Sequence, residues 1–409
     1  MLATLVLTRL LAGPEAFGAI GLVGVFLAGL AMFSELGITA NVVQHARGDD
    51  PRFLNTAYSI QVMRGAAIWL IAVGAAYPLS LFYKQPEIMP LLVVAGLSEL
   101  IRGLASTAAC TLTRHVNLRD ITLLTVGSEF VAAAISIGWA MVAPSPWALV
   151  VRTVVSAIIY AAGSHFIARP RVQFEWDRES ARDLLHFGGW VSLSTAAYFL
   201  SGQGERLILG KFITLGELGC FSLAVMIVSM PGGGINQLVN QIFLPILSQS
   251  VRTGEAATIQ DFIRARRVFA ALAGFSALGF LLCGRPFVTL LLPSKYAMAG
   301  WMVQALGIKV ALDIFAAPAT TVILARGKSA YSAYASCLRL VFMVAGLGIT
   351  IRYFGIKQAI ISLLVAQAIS YFPVIFGVST MLPGVAKAEL KWYGGFLGLL
   401  CIAAFVPWP

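Results

Sequence analysis

Apolar residues fill long stretches of this chain, and polar residues are confined to the short segments between them. A helix satisfies its own backbone hydrogen bonds in lipid, so a run of about 20 apolar residues predicts a membrane-spanning helix. The pattern therefore predicts an all-α polytopic membrane protein of about 12–14 transmembrane helices. The runs lie at 1–12, 16–40, 56–80, 88–113, 119–142, 146–168, 187–210, 215–247, 266–292, 299–325, 329–352, 356–381 and 391–408.

Two of the runs differ from a simple span. The run 1–12 is too short to cross a bilayer, which predicts either a truncated first helix or a true start upstream. The run 215–247 contains Pro231-Gly232-Gly233-Gly234, which predicts one kinked helix or a helix with an unwound middle. Among the connections, only 169–185 and 248–265 are long enough to hold further structure.

Charge is scarce, and its positions matter more than its sum. The chain has 59% hydrophobic and 11% charged residues, whereas a soluble protein has about 25% charged residues. This composition excludes a soluble enzyme, a disordered chain and a nucleic-acid-binding module. Most of the Lys and Arg behind the net charge of +11 occupy alternate connections, which the positive-inside rule places in the cytoplasm. Nucleic acid is therefore not an expected partner.

Three pairs of matching segments indicate an internal duplication. They align Gly18 with Gly219, Pro78 with Pro286 and Arg114 with Arg326, in the same order along both halves. The predicted domains are an N-lobe at 1–168 with helices 1–6, a cytoplasmic linker at 169–185, a C-lobe at 186–381 with helices 7–12, and an additional helix at 382–409. Both halves begin on the cytoplasmic side, which predicts two six-helix lobes related by a parallel repeat around a central cavity.

Basic residues inside the predicted spans are the candidate substrate-binding groups. An ionisable residue in a span is costly unless it faces a cavity or a partner. Arg64 and Arg339 have no acidic residue three or four positions away, and a guanidinium can hold a phosphate through two hydrogen bonds. Arg102 and Lys309 are further cavity candidates. The alternative is structural pairing with acidic residues of neighbouring helices, and for Arg64 and Arg339 the candidates are Glu35, Glu129 and Glu205.

Acidic residues in the spans are the candidates for coupling transport to a proton or a sodium ion. Burial raises the pKa of a carboxyl group towards neutral, which such coupling needs. The candidates are Glu99, Asp313, Glu129 and Glu35. Glu99 lies three residues from Arg102, and Asp313 lies four residues from Lys309, so each pair shares a helix face and could be neutralised structurally. The five cysteines and four histidines show no metal-site spacing, and no metal, cofactor or catalytic residue is expected.

At the repeated segments the sequence resembles the polysaccharide-export branch of the multidrug/oligosaccharidyl-lipid/polysaccharide transporters, the Wzx-type oligosaccharide-lipid flippases. The resemblance is carried by TRLLAGPEAFGAIGL with SELGITANVVQ, by FGGWVSLSTAAYFLSGQGERLILGKFITLGELGCFSLA with FLPILSQ, and by LLPSKYAMAGWMVQALG with VILARGKSAY. The sequence departs from the family pattern in two places. The segment before the first turn is shorter than usual, and Glu205-Arg206 stands where family members often have Asp-Arg.

The resemblance implies transport of an undecaprenyl-pyrophosphate-linked oligosaccharide across the bacterial inner membrane, by alternating access of two lobes, for exopolysaccharide or lipopolysaccharide biosynthesis. The implied partners are the bilayer, this substrate, a proton or sodium ion and the polysaccharide polymerase machinery. One alternative is an ion-coupled drug or small-cation antiporter, which predicts a mainly acidic cavity. A second is a lipid II flippase. A membrane polymerase or ligase would need a large outward loop with Arg and His residues, and the outward loops here are short.

Overall fold

The computed structural model describes residues 2–34, 36–115, 117–167, 171–328 and 330–404, and every regular element in these ranges is a helix. The predicted all-α class is confirmed. The chain forms two compact units, which meet in sequence at Gly219 and Cys220. Nine helical segments within the described residues are long and apolar enough to cross a membrane.

Nine helices begin in the first unit and lie wholly within it. They are α1 (Leu2–Leu10), α2 (Glu15–Phe33), α3 (Ile38–Gln44), α4 (Pro51–Tyr83), α5 (Ile88–Gly103), α6 (Ala109–Arg114), α7 (Leu118–Val142), α8 (Trp147–Ile167) and α9 (Arg178–Phe212). The following helix, α10 (Leu215–Leu238), contains the boundary between the units.

The second unit continues from α10 through a π-helical turn at Val239–Phe243. Its other helices are α11 (Leu244–Thr253), α12 (Glu255–Leu291), α13 (Ala299–Ala325), α14 (Ala330–Phe354), α15 (Ile356–Ile369), α16 (Phe372–Met381) and α17 (Pro383–Ala404). The core of this unit is formed by buried side chains of α11, α12, α13, α16 and α17, with partly buried residues of α15 packed against them.

Each apolar run contains helix, but several details differ from the sequence prediction. The run 88–113 holds two helices, α5 and α6, because the chain turns after Gly103. The helix over the run 187–210 begins earlier, at Arg178, where the Asp177 carboxylate accepts a hydrogen bond from the backbone N–H of Ser180 at 2.9 Å and caps α9. The predicted alternative of an unwound middle at Pro231–Gly234 is wrong, because helix α10 continues through Pro231 to Leu238.

The segment 171–177, here called the strap, ties the start of α9 to α4. Three of its backbone N–H groups donate to side-chain oxygens of α4: Gln173 to Asn55 at 2.9 Å, Glu175 to Ser59 at 2.9 Å and Asp177 to Thr56 at 3.0 Å. The strap and α9 therefore belong to the first compact unit. The lobe boundaries derived from the repeat, which assign this helix to the second half, stay a prediction.

Two of the residue pairs aligned by the repeat occupy comparable places in their own units. Pro78 lies near the end of α4, and Pro286 lies near the end of α12. Arg114 donates to backbone carbonyls at the end of α3, including that of His45 at 2.6 Å, and Arg326 donates to the Met381 carbonyl at the end of α16. Each arginine thus satisfies carbonyl groups that a helix end leaves without an intrahelical donor.

Candidate functional site

The candidate site of the first unit lies beside a close contact between α4 and α5. A Cβ atom on Gly65 would stand 2.7 Å from the Glu99 carbonyl oxygen, and one on Gly103 would stand 3.0 Å from the Gln61 carbonyl oxygen. Glycines at such a crossing let two helix backbones approach closely in a membrane. The contact brings the polar side chains of both helices to one place.

These side chains line a cavity of about 350 Å³ within the first unit. It receives residues from α4, α5, α6 and α8, together with Thr39 of α3 and Ala31 of α2. The polar and ionisable groups on its wall are Thr39, Gln61, Arg64, Glu99, Arg102, Ser106, Cys110 and Tyr160. The structure therefore brings together three of the sequence-predicted site residues, Arg64, Arg102 and Glu99.

The wall of the cavity is fixed by hydrogen bonds to the turn that follows α5. The Gln61 side-chain amide donates to the carbonyls of Gly103 at 3.1 Å and Ala105 at 2.9 Å. The backbone N–H of Ser106 donates to the Ser164 hydroxyl at 2.8 Å. These bonds satisfy backbone groups that the end of α5 leaves free, and they hold the Arg102 backbone in place. Sequence reasoning did not identify Gln61 or Tyr160, because neither is ionised and neither forms a local motif.

Arg64 is anchored to the end of α2. Its Nε donates to the Ser34 hydroxyl at 3.2 Å, and one terminal nitrogen donates to the Ala31 carbonyl at 2.6 Å. A guanidinium has five N–H donors in a fixed planar arrangement, so these bonds set the direction of the whole group. Arg64 is thus part of the cavity wall and also a cap on a neighbouring helix. Its role toward a substrate stays a proposal.

The ionic groups that line this cavity in the described part of the chain are two cations and one anion. Arg102 is exposed, and Glu99, one turn earlier on α5, is half-buried. Together with Arg64 they give the wall an excess of positive charge. Such a wall suits an anionic ligand better than a cationic one. The candidate Glu35 lies outside the described residues.

Glu129 belongs to a separate interhelical contact. Its carboxylate accepts hydrogen bonds from the Ser156 hydroxyl at 2.7 Å and from an Arg152 terminal nitrogen at 3.2 Å. The partners lie on α8, so Glu129 joins α7 to α8 as an ion pair. The sequence proposed Glu129 as a coupling group, and the structure shows the carboxylate already engaged.

Lys309, Asp313 and Arg339 all lie in the second unit. Lys309 is buried on α13, whereas Asp313, one turn later, is exposed and accepts a hydrogen bond from the Gln367 amide of α15 at 2.6 Å. The other Gln367 amide atom, Oε1, is buried without a partner in the described structure. Arg339 is half-buried on α14, and no hydrogen bond or ion pair of its side chain is found within the described ranges.

The second unit also contains a buried ion pair that the sequence did not reveal. Arg266 on α12 and Glu389 on α17 are 2% and 1% exposed, and Arg266 Nε donates to a Glu389 oxygen at 2.9 Å. Arg266 also donates to the Tyr371 hydroxyl at 2.8 Å and to the Phe315 carbonyl. The sequence grouped Arg266 with the basic residues of a connection, whereas the structure places it within helix α12, which begins at Glu255.

No group of three or more His, Cys, Asp and Glu residues that could hold a metal ion occurs in the described part of the chain. Four cysteines there, Cys110, Cys220, Cys283 and Cys337, are free thiols.

Curated relatives of this chain are named for polysaccharide biosynthesis. The succinoglycan biosynthesis transport protein ExoT of Rhizobium meliloti is 26% identical over 74% of this chain and 60% of its own length. The teichuronic acid biosynthesis protein TuaB of Bacillus subtilis is 20% identical over 73% of this chain and 62% of its own length. The lipopolysaccharide biosynthesis protein WzxC of Escherichia coli is 19% identical over 71% of this chain and 59% of its own length. The chain thus spans about 60% of the length of these relatives.

Two solved transporter structures share the fold. The lipid II flippase MurJ in an inward closed conformation has a TM-score of 0.72 at 12% identity, covering 100% of this chain and 91% of its own. An inward-facing multidrug resistance MATE family transporter of the MOP superfamily has a TM-score of 0.69 at 14% identity, covering 95% of both chains. The family model described as polysaccharide biosynthesis protein matches residues 6–300, well over half of the sequence. The chain therefore belongs to this polysaccharide biosynthesis protein family.

Proposed function

We propose that this protein is a flippase that moves a lipid-linked oligosaccharide, carried on undecaprenyl pyrophosphate, across the bacterial inner membrane for cell-surface or secreted polysaccharide synthesis. It works by exposing its binding cavity to the two sides of the membrane alternately, without a catalytic step. The substrate is anionic through its pyrophosphate. Arg64 and Arg102 are the groups proposed to bind that pyrophosphate.

One observation carries the proposal beyond family membership. In the described wall of the first-unit cavity, Arg64 and Arg102 provide two guanidinium groups against the single carboxylate of Glu99. Guanidinium groups bind phosphate oxygens through paired, charge-assisted hydrogen bonds. The names of the relatives, which cite succinoglycan, teichuronic acid and lipopolysaccharide, support a polysaccharide precursor as the cargo.

Several finer parts of the proposal rest on the sequence alone. Lys309 and Arg339 are proposed as further binding groups, and Glu99 and Asp313 as groups that exchange a proton or sodium ion during transport. Glu129 is the weakest coupling candidate, because its carboxylate is bonded to Arg152 and Ser156. Glu35 is kept as a candidate from the sequence. A polysaccharide polymerase is the proposed partner that receives the transported unit.

A drug or small-cation antiporter is the main competing function, because the multidrug MATE transporter shares the fold. Such a protein needs a cavity in which carboxylates outnumber cations, since its cargo is positively charged. The charge of the first-unit cavity is the reverse in the described residues. A lipid II flippase would also carry an anionic pyrophosphate lipid. Experiments must therefore determine which glycan this protein transports.

The test is a translocation assay with the purified full chain in liposomes. The probe is an undecaprenyl-pyrophosphate oligosaccharide with a nitrobenzoxadiazole label on the sugar, and dithionite bleaches the label on the outer leaflet. We expect the protein to make the inner-leaflet fraction accessible, and Arg102→Gln to slow this about tenfold or more, since a hydrogen bond to a charged group is worth about 1.5–3 kcal/mol. Arg102→Lys should restore part of the rate.

The matched control is Arg119→Gln, which removes an exposed arginine of the same unit that does not line the cavity. It should leave translocation unchanged. Failure of the unmodified protein to move the labelled lipid, with uptake of a cationic dye instead, would overturn the flippase proposal. Full activity of both Arg64→Gln and Arg102→Gln would keep the flippase and remove the assigned binding groups.

A further inference from the structure

A groove with a volume of about 900 Å³ runs between α12 and α17 in the second unit. Its floor is formed by Phe315 and Phe396, whose rings are stacked with centroids 4.7 Å apart. Its sides are formed by small and aliphatic residues, among them Ala270, Gly274, Leu281 and Gly395. The groove is independent of the first-unit cavity and of the function proposed for it.

Two cations occur on the wall of this otherwise apolar groove. Arg267 on α12 and Lys391 on α17 line it, and both are exposed. The described structure records no hydrogen bond or ion pair for either side chain. Arg266, the neighbour of Arg267, differs completely, because its guanidinium is buried and bonded to Glu389. The two adjacent arginines therefore lie in different environments. Arg266 is bonded inside the unit, and Arg267 lines the groove.

The buried ion pair also determines that the two groove cations lie at the same end. Arg266 and Glu389 are bonded, so this turn of α12 is level with this turn of α17. Arg267 is the next residue on α12, and Lys391 follows Glu389 by two residues on α17. The positive charge is therefore concentrated where the groove meets this ion pair, and the apolar part extends away from it along α12.

The apolar part has the length of one membrane leaflet. From Ala270 to Leu281 helix α12 rises about 16 Å at 1.5 Å per residue, and half of a hydrocarbon core is about 15 Å. The positive-inside rule places the charged end at the cytoplasmic surface. Trp392, which lines the same end and is 46% exposed, is the residue type found at the interface between headgroups and hydrocarbon.

We propose that this groove binds one anionic phospholipid of the cytoplasmic leaflet. Arg267 and Lys391 hold its phosphate, and one acyl chain lies along Ala270, Gly274 and Leu281. Basic pockets between helices on the cytoplasmic side are suited to anionic headgroups, and the groove length matches an acyl chain that ends at the bilayer midplane. An undecaprenyl chain is far longer than this groove, which favours a resident membrane lipid over the transported one.

The experiment measures lipid binding at the groove with brominated lipids, which quench a nearby tryptophan. The full-length protein is placed in phosphatidylcholine vesicles with increasing brominated phosphatidylglycerol, and the Trp392 signal is obtained by subtracting a Trp392→Phe variant. We expect brominated phosphatidylglycerol to be preferred over brominated phosphatidylcholine. Arg267→Gln and Lys391→Gln should each weaken this preference about fivefold, the effect of one basic residue near an anionic surface.

Two further variants separate the groove from general surface charge. Arg264→Gln removes an exposed cation one turn away on α12 and should leave the preference intact. Gly274→Leu places a side chain where the groove now has open space, so it should reduce quenching by both lipids while the cations remain. Thermal unfolding in detergent checks that each variant is folded.

Four results would overturn the proposal. Three of them are equal quenching by the two brominated lipids, an equal loss with Arg264→Gln, and unchanged quenching in Gly274→Leu. A fourth is displacement of brominated phosphatidylglycerol by undecaprenyl pyrophosphate at equal or lower concentration, which would assign the groove to the transported lipid. None of these outcomes affects the translocation assay, so the flippase proposal stands or fails separately.

Discussion

Gly18 and Gly219, the residues that the internal repeat aligns with each other, lie in mutual backbone contact where α2 and α10 begin. A Cβ atom on Gly18 would stand 2.0 Å from the Leu215 carbonyl oxygen, and one on Gly219 would stand 1.9 Å from the Pro14 carbonyl oxygen. The contact is reciprocal, as a local two-fold relation between the two helix starts requires. Neither position has room for any side chain.

The first prediction concerns this contact. Gly18→Ala and Gly219→Ala should each destabilise the protein by about 1–3 kcal/mol or more, because backbone must move to make room for the methyl group. Gly24→Ala on α2 and Gly233→Ala on α10 are the matched controls, since a Cβ at either site meets open space. The controls should be neutral or stabilising, because alanine favours helix. Thermal unfolding in detergent is the measurement, and equal effects at all four sites would contradict the prediction.

The second prediction concerns the buried Arg266–Glu389 pair. Glu389→Ala leaves the Arg266 charge buried without its partner, which should cost about 3–5 kcal/mol of folding stability. Replacing both residues by methionine should recover most of the loss, because no unpaired charge is left. The readout is the midpoint of unfolding for Glu389→Ala and for Arg266→Met, Glu389→Met and their double variant, the last three combined as a double-mutant cycle.

Arg264→Met is the control for the charge pair. Its ion pair with Asp261 spans 3.7 Å, and the Arg264 side chain is 69% exposed. An exposed pair is worth at most about 1 kcal/mol. A loss with Glu389→Ala no larger than that with Arg264→Met would show that the buried network contributes little.

The third prediction concerns the strap at 171–177. Ser59→Ala removes the acceptor for the Glu175 backbone N–H and the donor to the Glu175 carbonyl, both at 2.8–2.9 Å. We expect trypsin to cleave faster after Arg171 and Arg178, which are exposed. Thr125→Ala, which removes only a bond within its own helix, is the control and should leave the cleavage rate unchanged. Equal rates in the two variants would mean that the strap is held by other contacts.

The fourth prediction concerns acid stability at the start of α4. The hydrogen bond from the Arg52 backbone N–H, together with the Arg47 guanidinium, lowers the pKa of the Asp50 carboxyl group. A carboxylate with a lowered pKa stabilises the fold fully above its ordinary pKa of about 3.9, and this contribution is lost as the pH falls through the lowered value. The unfolding temperature should therefore fall in that window.

Asp50→Asn tests this dependence without removing the helix cap, because asparagine caps as well as aspartate. The variant should unfold at a somewhat lower temperature than the unmodified protein at pH 7, because the charge-dependent contact with Arg47 is lost, and it should show a smaller further loss below about pH 4. Asp120→Asn, at an acidic residue with no recorded bond in the described structure, should keep the full acid dependence. Parallel curves for the unmodified protein and Asp50→Asn would contradict the assignment.

The sequence predicted the helices well because a bilayer imposes a strong local rule. Thirteen apolar runs correspond to helical segments, and Arg64, Glu99 and Arg102 were selected simply as charges in apolar surroundings. The apolar pattern fails to predict a helix end where polar residues extend the helix beyond the apolar run, as at Arg178 in α9. The pattern also fails to predict the pairing of Arg266 with Glu389. The two residues are 123 positions apart, and neither local sequence indicates the other.

The same limit applies to the candidate site. The pair Glu99 and Arg102 could be predicted from a spacing of three, because one helix turn places both on one face. The anchoring of Arg64 to Ala31 and Ser34 could not, since it depends on how the end of α2 meets α4. Uncharged residues of the cavity wall, such as Gln61, are harder still to predict from the sequence, because amide side chains are common in helices that have no function in binding.

The strap also determines where this chain can be divided into separately expressed fragments. A break within 171–177 would disrupt the hydrogen bonds that the backbone of this segment donates to Asn55, Thr56 and Ser59. The two fragments should therefore reassemble poorly. Gly254, between α11 and α12, has φ of 139°, and a Cβ atom added there would meet open space. A split or an inserted reporter domain is better placed there, where the two pieces keep their helices whole.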